Sequence, residues 1–173
     1  MSKAVLISIR PKWVEKIASG EKTIEVRKTR PKLDTPFKCY IYCTLPKYPH
    51  EDFIATDYPM PQFYGGGKVV GEFTCERIVP ITYDGGRLWC PTNAAFSSAT
   101  CLSQAEIIAY IGDKGRCYGW HISDLRIYDT PKELSEFTGL RTFKGGFELR
   151  EIDRPPQSWC YVEEQNENNR DHE

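Results

Sequence analysis

The sequence predicts one α+β domain with mostly antiparallel strands and two main helices. Three patterns carry that prediction. At Gly20 a helical repeat of apolar residues gives way to alternation with period two, from Lys68 to Val79 the alternation runs long enough for a curling strand, and Ser103-Gln104-Ala105-Glu106 has the form of a capping box that opens a helix. At 173 residues, 40% of them hydrophobic, the chain has the length and apolar content for one core.

Taken in order, Ala4 to Ile9 is mostly apolar, as a buried first strand would be. Pro11 suits the first turn of a helix in which Trp13, Val14 and Ile17 recur at helical spacing, and Gly20 ends it by taking the left-handed cap conformation without steric cost. Beyond it Ile24 and Val26 fall on one face of a strand and Thr23, Glu25 and Arg27 on the other. Lys28-Thr29-Arg30-Pro31-Lys32 carries positive charge into a loop, and Cys39 to Cys43 is a short β-rich run. Residues 44–67 read as a long irregular excursion with Pro46, Pro49, Pro59 and Pro61 among Tyr48, Phe53, Tyr58, Phe63 and Tyr64. Those rings are suited to stack on bases or to pin the loop to the domain.

Lys68 to Val79 reads as the longest strand, with Gly71 as its flexible point. Pro80 to Thr100 reads as a second irregular insertion holding Trp89, a stacking ring or a core anchor. Ser103 to Ile111 is a helix ended by Gly112, which assigns Glu106 to capping. Arg116 to Tyr128 is β-rich, with Tyr118 and Trp120 alternating against Cys117, Gly119 and His121, the last a structural histidine or a general base. Thr130 to Glu133 starts a short helix or turn that buries Leu134 and Phe137. Arg141 to Leu149 is a hairpin around Gly145-Gly146, and Pro155 to Val162 a strap laid back over the domain. Residues 163–173 are charged and without periodicity, so the domain is expected to span 1–162 and be followed by a disordered acidic tail.

Net charge is −1, which excludes a globally basic nucleic-acid-binding surface. The charge is uneven: residues 1–48 hold 11 Lys or Arg against 4 Asp or Glu, and residues 151–173 hold 7 acidic against 2 basic. No apolar run approaches the length of a membrane span and the N-terminus lacks signal-peptide architecture, so a cytoplasmic protein without a membrane partner is expected. Seven cysteines without a C-x-x-C pair point to buried or half-buried thiols rather than a disulfide framework, and no metal site or cofactor is expected.

Chemistry concentrates in Gly20-Glu21-Lys22-Thr23-Ile24-Glu25-Val26-Arg27. With Ile24 and Val26 in a core, Glu25 and Arg27 project together and Lys22 stands at the bend. Such a group suits a phosphate or a polar base edge, with the carboxylate orienting the cations or moving a proton. On spacing alone an ordinary solvated ion pair on a strand face is the commoner reading. Arg10, just before the helix, adds a further cation.

These residues fit Gly-x-Lys-x-x-Glu-x-Arg, and the chain thereby resembles the ASCH domain, a PUA-like family. Leu6-Ile7-Ser8-Ile9, Tyr40-Ile41-Tyr42, Lys68-Val69-Val70-Gly71-Glu72-Phe73 and Tyr118-Gly119-Trp120-His121 stand where the family has its strands, so the likeness runs over roughly residues 3 to 140. It implies a PUA-like twisted, mostly antiparallel β-barrel of about five or six strands. It also implies a cleft facing RNA, a nucleotide or a modified nucleoside, lined by Arg10, Lys22, Glu25, Arg27, Lys28 and Arg30. Two classes of function follow: a binding module, within a regulatory assembly that includes a protein partner, or a hydrolase acting on N4-acetylcytidine or on RNA, with Lys22 and Glu25 as its catalytic residues. The amidohydrolase branch has a threonine where this chain has Glu25.

Overall fold

Period-two alternation sends Val5, Ile7 and Ile9 of β1 (Lys3–Ile9) into one apolar cluster and Ala4 and Leu6 into another, so this strand is covered on both faces. The protein is seen here as a computed structural model that describes residues 2–45, 66–90 and 95–166. Residues 46–65, which hold the aromatic rings of the first excursion, and residues 91–94 and 167–173 lie outside the described residues.

After β1 come α1 (Pro11–Ala18), β2 (Ile24–Arg27), β3 (Phe37–Cys43), β4 (Lys68–Asp84) and β5 (Arg87–Trp89). Helices α2 (Ala95–Thr100) and α3 (Gln104–Ile111) follow, then β6 (Arg116–Lys132), β7 (Thr138–Phe143), β8 (Gly146–Glu151) and β9 (Trp159–Glu163). The strands form one sheet in the order β2-β6-β4-β3-β1-β9-β7-β8, with β5 on β4. β1 and β3 run parallel; the other described pairs are antiparallel.

The α+β class stands, but the sheet is an open path among the described residues, with no ladder joining its ends, and so differs from the expected closed barrel. β2 returns toward β1 through a side chain instead: the Arg27 guanidinium donates to the Ser8 carbonyl oxygen at 2.7 Å.

Among the described residues three apolar clusters fill the layers. One gathers Val5, Ile7, Ile9, Cys39, Ile41, Phe73 and Trp120 inside the curl, where α1 adds Val14 and Ile17. Burying each of those two helix residues stabilises by roughly 1.5–3 kcal/mol. A second lies on the outer face around Leu6, Tyr40, Tyr128, Phe137 and Val162. The third sits between the sheet and α2 and α3, where Ile24, Val26, Ile81 and Cys117 meet Phe96, Ile107 and Ile111.

Several expectations need correction. β4 runs through Pro80 to Asp84. Pro80 is tolerated because it falls between the stretches paired with β3 and with β5, where β4 has only β6 beside it. Gly85 and Gly86, at φ 53° and 116°, then make the two-residue turn of a β4–β5 hairpin. β6 carries Thr130 and Pro131, and the helical turn begins later, at Leu134–Glu136. α2 arises in a stretch without apolar periodicity. The capping box forms as read: Glu106 N donates to Ser103 Oγ at 3.2 Å, and Ser103 N donates to Glu106 Oε2 at 2.7 Å. Order also continues past residue 162, since β9 includes Glu163, and Gln165 N donates to Tyr40 Oη at 2.8 Å.

All seven cysteines are free. Burial pushes the Cys39 thiol well up, those of Cys75 and Cys117 to about 12 and that of Cys160 to about 11. These thiols behave as small apolar groups.

Candidate functional site

β2 is a short strand with two covered faces. Ile24 and Val26 enter the cluster under α2 and α3, while Glu25 and Arg27 turn toward the interior of the curl. Pairing with β6 places Glu25 opposite Trp120 and Arg27 opposite Tyr118, so these four side chains share one face. Lys22 precedes the strand and is held by the backbone: Lys22 N donates to Lys16 O at 2.9 Å, and Thr23 N to Ala99 O at 2.8 Å.

The three charged side chains converge. Glu25 Oε1 accepts from Arg27 Nε at 3.1 Å and lies 3.0 Å from Arg27 Nη2, while Glu25 Oε2 stands 3.5 Å from Lys22 Nζ. Lys22 Nζ donates to Thr100 O at 2.7 Å and lies 5.0 Å from the centre of the Trp13 ring. Arg27 Nη1 reaches Ser158 O and Oγ at 3.4 Å. Side-chain exposure is 2% for Lys22, 7% for Glu25 and 11% for Arg27, so the set is built into the interior. Together the three carry one net positive charge.

Two polar atoms on this face are buried without a hydrogen-bond partner: Glu25 Oε2 and Trp120 Nε1. One accepts, the other donates, and they belong to residues opposite one another across the β2–β6 pair. The Trp120 ring lies 6.0 Å from Trp159, and Trp159 Nε1 donates to Thr29 Oγ1 at 3.0 Å, so the C-terminal strand lies against the same face.

No protein-family model and no curated protein matches the chain. Solved structures match its shape. The crystal structure of the ASCH protein of Zymomonas mobilis superposes with a TM-score of 0.52 and 19% identity, covering 92% of this chain and 87% of that one. A tyrosine-to-phenylalanine variant of that protein gives the same score and identity over 94% and 91%, and a serine-to-alanine variant over 92% and 88%. The chain has the ASCH fold.

In this ASCH fold Gly20, at φ 80°, makes the turn from α1 toward β2, so Lys22, Glu25 and Arg27 follow at the spacing read from the sequence. The other expected cations are not gathered with them. Arg10 is exposed and starts α1 through its carbonyl, which accepts from Trp13 N at 2.9 Å and Val14 N at 3.0 Å. Lys28 is exposed with its ammonium 5.2 Å from the Tyr110 ring centre, and Arg30 is exposed beyond it. His121 pairs with Ile24, on the face turned away from Glu25, and burial followed by Arg77 holds its imidazole below the usual range. Its geometry gives no support to a general-base role beside Glu25. Trp89 is 52% exposed, which excludes the core-anchor reading.

Two surface depressions, of about 540 and 420 Å³, are lined by residues such as Lys3, Phe37 and Lys38 and by Arg126 to Lys132, and neither includes the charged set. The charged set itself is packed into the interior, with side chains 2–11% exposed. Sequence reading missed Thr100, Trp13, Ser8, Ser158 and Trp120 as its partners. Alternation had placed Trp120 on a strand face, and only the β2–β6 register adds that the face is Glu25's.

Proposed function

We propose that the chain binds RNA or a nucleotide through Lys22, Glu25 and Arg27. The supporting observation is two buried atoms without a hydrogen-bond partner, Glu25 Oε2 and Trp120 Nε1, at a charged set of one net positive charge. A buried acceptor and a buried donor on residues opposite one another across the β2–β6 pair complement the edge of a nucleobase, and the surplus cation complements a phosphate. Trp13 and Trp159, both half-buried, supply aromatic surface at the same place. The reading takes the curl of the sheet as that of a PUA-like barrel, closed between β2 and β1 by Arg27 rather than by a ladder. It describes a cytoplasmic protein with a regulatory role that needs no cofactor.

A second reading, hydrolysis of a modified nucleoside such as N4-acetylcytidine or of RNA, draws on the Lys22–Glu25 pair at 3.5 Å, an ammonium beside a carboxylate in a dry setting. Glu25, standing where the amidohydrolase branch has a threonine, favours binding over that reaction.

Incubation of the protein with total RNA and a nucleoside and nucleotide panel, read by retention and by mass spectrometry of products, separates the two. Retention without product supports the binding reading. Product from a modified nucleoside or RNA replaces it, and neither retention nor product rejects both.

A further inference from the structure

We propose that the sheet face carrying Glu25 and Arg27 continues outward as a track for single-stranded RNA that ends on Trp89. The proposal rests on the binding reading above and adds where the nucleotides flanking the bound one lie.

Register carries the argument. Residues directly opposite in antiparallel strands share a face. Glu25, Trp120 and Ile78 form one row; Arg27, Tyr118 and Pro80 form the next. Beyond them Arg116, Thr82 and Trp89 form a third row, because Thr82 pairs with Arg116 on β6 and with Trp89 on β5. Rows on one face are two residues apart, about 6.6 Å, a step of the same order as that between nucleotides of an extended strand.

Burial changes along this face in the order a track needs. Trp120 is buried, Tyr118 half-buried, and Pro80, Thr82, Arg116 and Trp89 are exposed. The opposite face of the same strands holds Ile81, Cys117, Ile24 and Val26 against α2 and α3, so the exposed outer rows are a continuation of the Glu25 face alone. At the outer end the Arg87 guanidinium lies 4.3 Å from the centre of the Trp89 ring. A ring 52% exposed with a cation on it, and Arg116 in the same row, is the stacking-plus-cation combination that holds single strands without sequence preference. Asp84 faces Arg87 across the hairpin, and Asp113 lies in the turn before Arg116.

The test is a fluorescence-anisotropy titration with a labelled single-stranded RNA of about eight nucleotides, alongside competition by nucleoside monophosphates. The parent should bind the oligomer at least about ten-fold more tightly than a monophosphate. Trp89→Ala should remove on the order of ten-fold of oligomer affinity, Trp89→Phe should restore most of it, and both should bind monophosphates as the parent does. Arg116→Ala should lower the salt dependence of oligomer binding by about one unit of slope. If Trp89→Ala and Arg116→Ala bind the oligomer as the parent does while a Glu25 variant has altered monophosphate binding, the track is wrong and the binding reading stands. Loss of monophosphate affinity equal to that of the oligomer in Trp89→Ala would place the effect in the fold and also overturn the track. A parent that binds neither ligand removes both proposals.

Discussion

The Lys22 ammonium donates to the carbonyl oxygen of Thr100, the last residue of α2, at 2.7 Å. A helix ends in carbonyls without intrahelical donors and with partial negative charge, so a cation there is doubly favoured. The same ammonium faces Glu25 Oε2, which makes the signature lysine part of the fold as well as of the site. Lys22→Ala strands a buried carboxylate oxygen and the Thr100 carbonyl, and should cost about 3–5 kcal/mol in urea unfolding. Lys22→Met with Glu25→Gln should recover more than half of that loss, since no unpaired anion remains. A cost below about 1 kcal/mol for Lys22→Ala, the range of exposed pairs, would contradict the buried geometry.

Arg27 binds groups from three parts of the chain: Glu25 on its own strand, Ser8 on β1 and Ser158 just before β9. A lysine there keeps the charge but lacks the planar fork that reaches all three. Arg27→Lys is expected to lower stability by about 1–3 kcal/mol and to raise amide exchange on β2 before β3 and β4. Exchange that rises uniformly over the sheet would mean that Arg27 is not the bridge between β2 and β1.

How much of this was legible in the sequence follows from the range of each contact. Alternation over Ile24, Glu25, Val26 and Arg27 placed apolar and charged side chains on opposite faces, and Gly20 placed the turn, because both are local. That the charged face is covered was not legible. Its cover comes from Thr100, 78 residues from Lys22, and from Ser158, 131 residues from Arg27. The insertion that supplies Thr100 has no helical periodicity, so α2 left no signal. Burial also changes what a substitution means. Arginine at position 22 would add atoms to a packed site, so Lys22→Arg tests overpacking as much as charge.

Stability should fall with acid in two windows. Burial, then Arg77, lowers the His121 imidazole below 6.5, with Glu76 opposing. A depressed folded value gives stability that is present above the unfolded value and lost as pH falls through the folded one, so the first loss should begin below about pH 6.5. At Glu72 burial acts upward, but hydrogen bonds from Tyr128 and Lys38 outweigh it and hold the carboxyl below 4.5, which puts a second loss below about pH 4.5. Urea midpoints measured from pH 8 to pH 3 should show both. His121→Phe should remove the upper loss, and Tyr128→Phe should weaken the lower one. A midpoint that stays flat to pH 4 in the parent would contradict the burial of His121.

The acidic C-terminus offers a separate check on electrostatics. Gln165 is tied to Tyr40 and to Glu136 O, so a cut at 163 would disturb β9, whereas a cut after Asn166 spares those contacts. Removing residues 167–173 deletes 3 acidic residues and 1 basic one and should leave RNA binding intact or slightly stronger at low salt. Weaker binding after that cut would show that the tail takes part in recognition.

Glu25→Gln separates the roles assigned to this carboxylate. In the parent, Oε1 is engaged by Arg27, and Oε2 faces Lys22 without a hydrogen bond. Glutamine preserves the shape and one acceptor for Arg27 but turns the second position into a donor and removes the negative charge. Lys22, left with the Thr100 carbonyl but no carboxylate, should then cost about 1–3 kcal/mol of stability. Nucleoside monophosphates should keep or gain affinity through the phosphate, because the set now carries one more net positive charge, while the preference among bases should shift as the free acceptor becomes a donor. Any turnover that needs the carboxylate to take a proton should disappear. Calorimetric titration of the four monophosphates at fixed salt, with product analysis in parallel, reads all three effects. Unchanged base preference together with unchanged affinity would mean that Glu25 does not touch the ligand and that the buried acceptor beside Trp120 is only structural.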